Sequence, residues 1–303
     1  MTCGHQTSYY YELLERNKVK VSDSTFINIE KLYEILDYPD VVIIDCRFDL
    51  SNPAWGFQDY LKSHLPKAIY ADLDKDLSGK ITEQTGRHPL PEKNNFFNTC
   101  SNWGIDQSKH VIVYDTTSGS YAARLWWLLK YYGHTKVSLL DGGFNVWIQA
   151  GYPVVSGNYI NLPEKFSGIP DDSLMVSTVE METIISREGY AIIDARSQER
   201  YLGFEEPIDT IAGHIPNAIN FFHQNNLDSQ GKLLPINELI QKYDQLLNNQ
   251  IDSEKIVYCG SGVTSCLNIA VMNHLDIKNT RLYLGSWSEW IRNFEHPIIN
   301  ERT

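Results

Sequence analysis

The chain repeats itself, and that repetition limits what it can fold into more than any other feature. VVIID at 41–45 is matched by AIID at 191–194, HLPKA from His64 by HIPNA from His214, and VIVYD at 111–115 by KIVYC at 255–259. The two histidines lie 19 and 20 residues beyond Asp45 and Asp194. The ends of the copies also agree: Asp141, Gly142, Gly143 and Trp147 stand where Leu284, Gly285, Ser286 and Trp290 stand, each set followed shortly by Pro153 or Pro297. A unit of about 130 residues is domain-sized, so the chain is read as an internal duplication.

Each copy carries short apolar runs, at 41–44, 111–114, 192–193 and 256–258, of the kind that form parallel strands buried on both faces. Between them lie helical runs such as 121–132, where Leu125, Leu128 and Leu129 share one face of an amphipathic helix. The expected class is α/β, with each half a small parallel sheet flanked by helices on both faces. At 303 residues and 42% hydrophobic content the chain can bury two ordinary cores. Pro153, Gly157, Pro163, Gly168 and Pro170 break any period, so a linker is placed at 151–171. That leaves a lead segment at 1–20, a first domain at 21–150 and a second at 172–303.

The copies differ at the end of one strand, where the first has Asp115 and the second has Cys259. A thiolate at that place, ringed by the backbone N–H groups of Gly260, Ser261, Gly262, Val263 and Thr264 and facing the start of a helix, would have its charge stabilised. Gly260 and Gly262 permit the backbone angles that turn successive amides toward one anion. Taken alone, the residues fit a nucleophile or a buried strand cysteine beside an ordinary turn. The first half, lacking the cysteine, is expected to be scaffold and pocket wall.

A net charge of −12 and a pI near 5.2 disfavour nucleic acid and anionic lipid as partners. An anionic small substrate then requires local cations, which directs attention to arginine. No segment approaches the roughly 20 apolar residues of a membrane span, and residues 1–20 are polar, so a soluble cytoplasmic protein is expected. Five cysteines without CxxC spacing argue against a zinc site or a disulfide framework. Cys266, seven residues beyond Cys259, is assigned to packing, with a resolving thiol as the alternative.

These motifs together resemble the two-domain sulfurtransferases of the rhodanese superfamily, in particular the 3-mercaptopyruvate sulfurtransferase-like branch. The resemblance covers nearly everything after about Thr25. It is carried by VIIDCRFDL around Asp45, TGRHPLP at 85–91, YAARLWWLL from Tyr121, LLDGG from Leu139, DARSQERYLG from Asp194, GHIPNA from Gly213, CGSGVT from Cys259 and GSWSEW from Gly285. It implies two tandem rhodanese-like domains, the first inactive, and a persulfide on Cys259. No metal or organic cofactor is implied. The donor would be a small molecule, 3-mercaptopyruvate or else thiosulfate. The acceptor would be cyanide or a thiol, such as glutathione or thioredoxin.

Arg196 follows a strand directly, where strand ends converge on a ligand crevice, and a guanidinium there can grip a carboxylate or sulfonate. The resemblance also makes it a substrate ligand; otherwise it is a surface arginine paired to Glu199 or Glu205. Arg200 and Arg87 are further candidates, Arg87 reaching across the domain interface or else sitting in a turn that packs the halves. Arg47, the counterpart of Arg196, is expected to be structural. Thiosulfate-type loops carry Arg and Lys where this chain has Gly260 and Ser261, so a neutral loop suits 3-mercaptopyruvate. The resemblance further implies a Ser/His/Asp relay, with Ser261 as serine and His64 as the matching histidine. Ala54 stands where the aspartate is expected, leaving Asp49 and Asp59 as loose substitutes. His64 is otherwise a turn histidine echoed by His214. A cysteine phosphatase would need an arginine six residues after the nucleophile, where this chain has Ser265. A non-catalytic sulfur carrier or regulatory binding module is the remaining alternative.

Overall fold

A computed structural model describes residues 24–117 and 119–302; the expected lead segment 1–20, with Cys3, lies outside the described residues. The first unit runs β1 (Phe26–Ile27), α1 (Ile29–Ile35), β2 (Val41–Asp45), α2 (Pro53–Lys62), β3 (Ala68–Tyr70), α3 (Lys93–Asn102), β4 (His110–Tyr114), α4 (Ala122–Tyr131), β5 (Val137–Leu140) and α5 (Gly143–Gln149). The second runs β6 (Met175–Val176), α6 (Thr178–Ile184), β7 (Tyr190–Asp194), α7 (Gln198–Tyr201), β8 (Ala218–Asn220), α8 (Ile236–Leu247), β9 (Glu254–Tyr258), α9 (Ser265–His274), β10 (Thr280–Tyr283) and α10 (Ser286–Trp290).

Two five-stranded sheets result, ordered β1-β5-β4-β2-β3 and β6-β10-β9-β7-β8, with every paired strand parallel. The registers correspond: Asp45 pairs with Tyr114 at the end of β4 as Asp194 pairs with Tyr258 at the end of β9. The next residue in each case is Asp115 or Cys259, so both stand at the carboxyl edge of a central strand. Parallel sheets need cover on both faces, and the apolar runs supply two buried faces per strand: all five residues of β4 are buried. This is the α/β architecture expected from the repeats.

The helix at α4 departs from the one-faced pattern expected of it. Nine of its ten residues are buried, Trp126 and Trp127 among them, because the face turned away from its own sheet packs against α9 of the other unit. The α9 helix is buried from Ser265 to Met272 for the same reason. One continuous apolar core therefore runs from Val113 and Leu125 of the first unit into Val257 and Leu267 of the second. Residues 151–171 lie as a strap on the first unit. The backbones of Val155 and His64 exchange two hydrogen bonds, Glu164 N donates to Ser101 O, and Phe166 is buried in the core.

Candidate active site

Cys259 is 2% exposed and held at both ends of its peptide by the α10 region. Its N–H donates to Ser286 Oγ at 3.2 Å, and its carbonyl accepts from Trp287 N at 3.0 Å. Gly262 adopts φ +73°, and a Cβ there would collide with the Leu284 carbonyl. That turn directs the loop around the sulfur. Burial pushes the thiol up, but the hydroxyls of Ser265 and Thr264 and the amides of Ser261 and Ser265 outweigh it, bringing Cys259 down from 9.0 to about 7. The Ser265 hydroxyl is buried and has no other partner among the described residues.

The same loop in the first unit is already filled. Asp115 Oδ1 accepts from Thr117 N at 2.8 Å and Gly119 N at 2.9 Å, and Oδ2 accepts from Tyr121 N at 2.7 Å and Ala122 N at 2.8 Å. A carboxylate thus occupies the amide cradle that the second unit offers to a thiolate.

Three residues of the first unit cross to the Cys259 loop. His88, 4% exposed, places Nδ1 at 2.7 Å from Ser261 Oγ and Nε2 at 3.5 Å from Asp74 Oδ1. The tautomer that serves both neighbours carries its proton on Nε2 and accepts the Ser261 O–H at Nδ1. Burial lowers the His88 pKa below 6.5, against the carboxylate of Asp74, so the imidazole is neutral at pH 7. Arg124 is fully buried on α4 and donates to His88 O and Gly262 O, both at 3.0 Å, binding the histidine segment to the cysteine loop. Arg87 lies against Gly260: a Cβ on Gly260 would sit 2.7 Å from Arg87 Nη2 and about 3.5 Å from Arg200 Nη2. A side chain at Gly260 would displace these guanidinium groups, whereas of the two glycines only Gly262 has a left-handed backbone.

The model of the Rhodanese-like domain matches residues 28–150 and again 177–293. The chain belongs to the rhodanese family. Among curated relatives of this rhodanese, a probable 3-mercaptopyruvate sulfurtransferase of Pseudomonas aeruginosa is 39% identical over 280 residues, covering 92% of this chain and 99% of its own. A putative thiosulfate sulfurtransferase of Mycobacterium tuberculosis is 32% identical, covering 85% and 90%. The solved 3-mercaptopyruvate sulfurtransferase from Leishmania major superposes with a TM-score of 0.80 at 30% identity, covering 91% of this chain and 76% of that one.

Several expected site residues are committed to contacts within the protein. Arg196 is one of them. Its Nε and Nη2 bind the Asp194 carboxylate, Nη2 also reaches Gly213 O at 2.6 Å, Nη1 reaches Glu206 at 3.2 Å, and the group lies 4.7 Å from the Trp287 ring centroid. Arg47 does the same with Asp45, Asp59 and Phe144, the structural role expected of it. His64, the expected relay histidine, has its Nδ1 facing Tyr60 O at 2.8 Å and its ring stacked on Tyr60, as His214 does with Tyr201, while the histidine placed against Ser261 is His88. Asp59 is committed to Arg47, and Asp49 caps its own turn through Ser51. Val263, expected to offer its backbone N–H to the loop, has its side chain buried in the core. Cys266, assigned to packing, contacts Gly262 O through Sγ at 3.4 Å and is pushed up to about 12 by burial.

Besides Arg124, the guanidinium groups at the Cys259 loop are Arg87 and Arg200, which lie against Gly260 and are bridged by Asp209. Sequence reasoning missed His88, Asp74 and Arg124. His88 lay within TGRHPLP, where attention went to its neighbour Arg87 alone.

Proposed function

We propose that the protein is a sulfurtransferase that takes sulfur from 3-mercaptopyruvate onto Cys259 and passes it to a thiol or to cyanide. The observation that carries this reading is the joining of a thiol near pKa 7 to a Ser261–His88 pair within one buried site. The Cys259 thiolate attacks the donor thiol sulfur, the sulfur–carbon bond breaks, and its electron pair passes to the pyruvate enolate. The donor's thiol proton moves through Ser261 and His88 to the enolate carbon, releasing pyruvate and leaving a Cys259 persulfide anion. The loop amides that face the thiolate then face the outer sulfur. An acceptor thiol takes that sulfur, keeps its own proton on the transferred sulfur and restores the thiolate. Glutathione, thioredoxin and cyanide all have the chemistry to accept.

Thiosulfate is the second reading for the donor, favoured by the Arg87 guanidinium beside Gly260. That placement weakens the expectation drawn from the neutral loop, because the missing loop cation is supplied from the first unit. The test is turnover with each donor, cyanide as acceptor and Cys259→Ser as blank. A kcat/KM favouring 3-mercaptopyruvate by about ten-fold is expected, or about 1.4 kcal/mol in the transition state. Preference for thiosulfate would replace the donor, and absence of a Cys259 persulfide with both would overturn the function.

A further inference from the structure

Three guanidinium groups and three carboxylates form one chain of contacts beside the nucleophile. Asp194 binds Arg196, Arg196 and Arg200 share Glu206, and Arg200 and Arg87 share Asp209. Asp209 is the link between the two domains' cations. Its Oδ2 accepts from Arg200 Nη2 at 3.1 Å, its Oδ1 pairs with Arg87 Nη1, and its side chain is 5% exposed. The two arginines it holds are those that lie against Gly260. Arg87 keeps its Nε buried and without a partner among the described residues, so this guanidinium is not saturated by the acids around it.

Charge counting decides what such a site prefers. Without Asp209, Arg87 and Arg200 would face a donor as two cations balanced by Glu206 alone. With it, the local sum of these six groups is zero, and an incoming donor meets a carboxylate between its two best anchors. A dianion is penalised by that carboxylate about twice as much as a monoanion at the same distance. Thiosulfate carries two charges and 3-mercaptopyruvate one carboxylate.

We propose that Asp209 is a specificity-determining residue that holds the Arg87–Arg200 pair at low net charge and so selects monoanionic over dianionic sulfur donors. This rests on the sulfur-transfer reading of Cys259. It assigns Asp209 no contact with the reacting atoms: it acts through the two arginines.

The experiment compares kcat/KM for thiosulfate and 3-mercaptopyruvate in the parent, Asp209→Asn and Asp209→Glu proteins at one fixed ionic strength. The Asn variant removes the charge and keeps the shape, and its thiosulfate to 3-mercaptopyruvate ratio is expected to rise about ten-fold. The Glu variant retains the charge and is expected to stay within about two-fold of the parent ratio. A purely structural role would lower both donors together and leave the ratio unmoved. Asp209→Ser carries the same expectation as Asn and keeps the comparison available should Asn fail to fold. An unchanged ratio with both donors still turning over overturns the role of Asp209 and leaves the sulfur-transfer reading standing. Failure of the parent to form a Cys259 persulfide with either donor overturns both.

Discussion

Replacing Ser265 by Ala should raise the Cys259 pKa without loosening the fold. The drop from 9.0 to about 7 corresponds to about 2.7 kcal/mol in favour of the thiolate. Among the groups that lower it, the Ser265 hydroxyl comes first, ahead of Thr264 and the two amides. Deleting one of four donors, and the strongest, returns about one unit, so the midpoint should move to about 8. At pH 7 the thiolate fraction would fall from about half to about one-tenth, and alkylation of Cys259 by iodoacetamide would slow about five-fold. Above pH 9 the two proteins should converge.

Stability gives an independent check on the same number. The folded pKa lies below the unfolded one, so the stabilisation is complete above pH 9 and is lost as pH falls through 7. In Ser265→Ala it should already be lost by about pH 8. The variant should therefore melt lower than the parent above pH 8 and equal it at pH 6, where both sulfurs are protonated. Because the Ser265 hydroxyl has no other partner among the described residues, its removal leaves none of their groups unsatisfied in the thiol form. Cys259-specific alkylation read by mass spectrometry across pH 5 to 10 measures the shift. An unmoved midpoint would refute the account of the cradle, as would a loss of melting temperature at pH 6 as large as that at pH 9.

His88→Ala should lower kcat for 3-mercaptopyruvate by about a hundred-fold or more, the range of general acid–base groups, and Ser261→Ala should do so with no further loss in the double variant. His64→Ala, by contrast, should lower the melting temperature and leave kcat of the remaining folded protein near the parent value; the reverse ordering would restore His64 as the relay. Arg196→Ala should cost about 3–5 kcal/mol in urea unfolding, because it leaves the buried carboxylate of Asp194 without its guanidinium partner. A stable Arg196→Ala protein with only a raised donor KM would return that residue to the substrate.

Much of this architecture is legible in the repeats, because parallel strands buried on both faces write themselves as short apolar runs with constant spacing. The cysteine is legible for the opposite reason, as the point where the copies part. That contrast also sorts the candidates. Arg196 and His64 have counterparts in Arg47 and His214 with the same contacts, and what both copies keep is scaffold. Arg87, His88 and Ser261 instead meet at the Cys259 loop. Their meeting is written in no local pattern. It depends on how α4 packs on α9 and on Arg124 tying His88 O to Gly262 O across the two sheets. Nor does spacing reveal that Arg196 commits each of its three guanidinium nitrogens to Asp194, Glu206 or a carbonyl.

The carboxylate inside the first cradle has a consequence for the working cycle. A loop of inward-facing amides needs a negative partner to stay closed, and in the first unit Asp115 supplies one that is fixed in the chain. In the second unit the partner is the Cys259 sulfur, present as thiolate and quenched whenever it is protonated. The duplication has divided the molecule into a permanently loaded half and an intermittently loaded half. The intermittent loop is clamped by Arg124, which rises from the helix directly after the permanent one. The geometry of the Cys259 loop is thus held in part by the copy that carries no cysteine there.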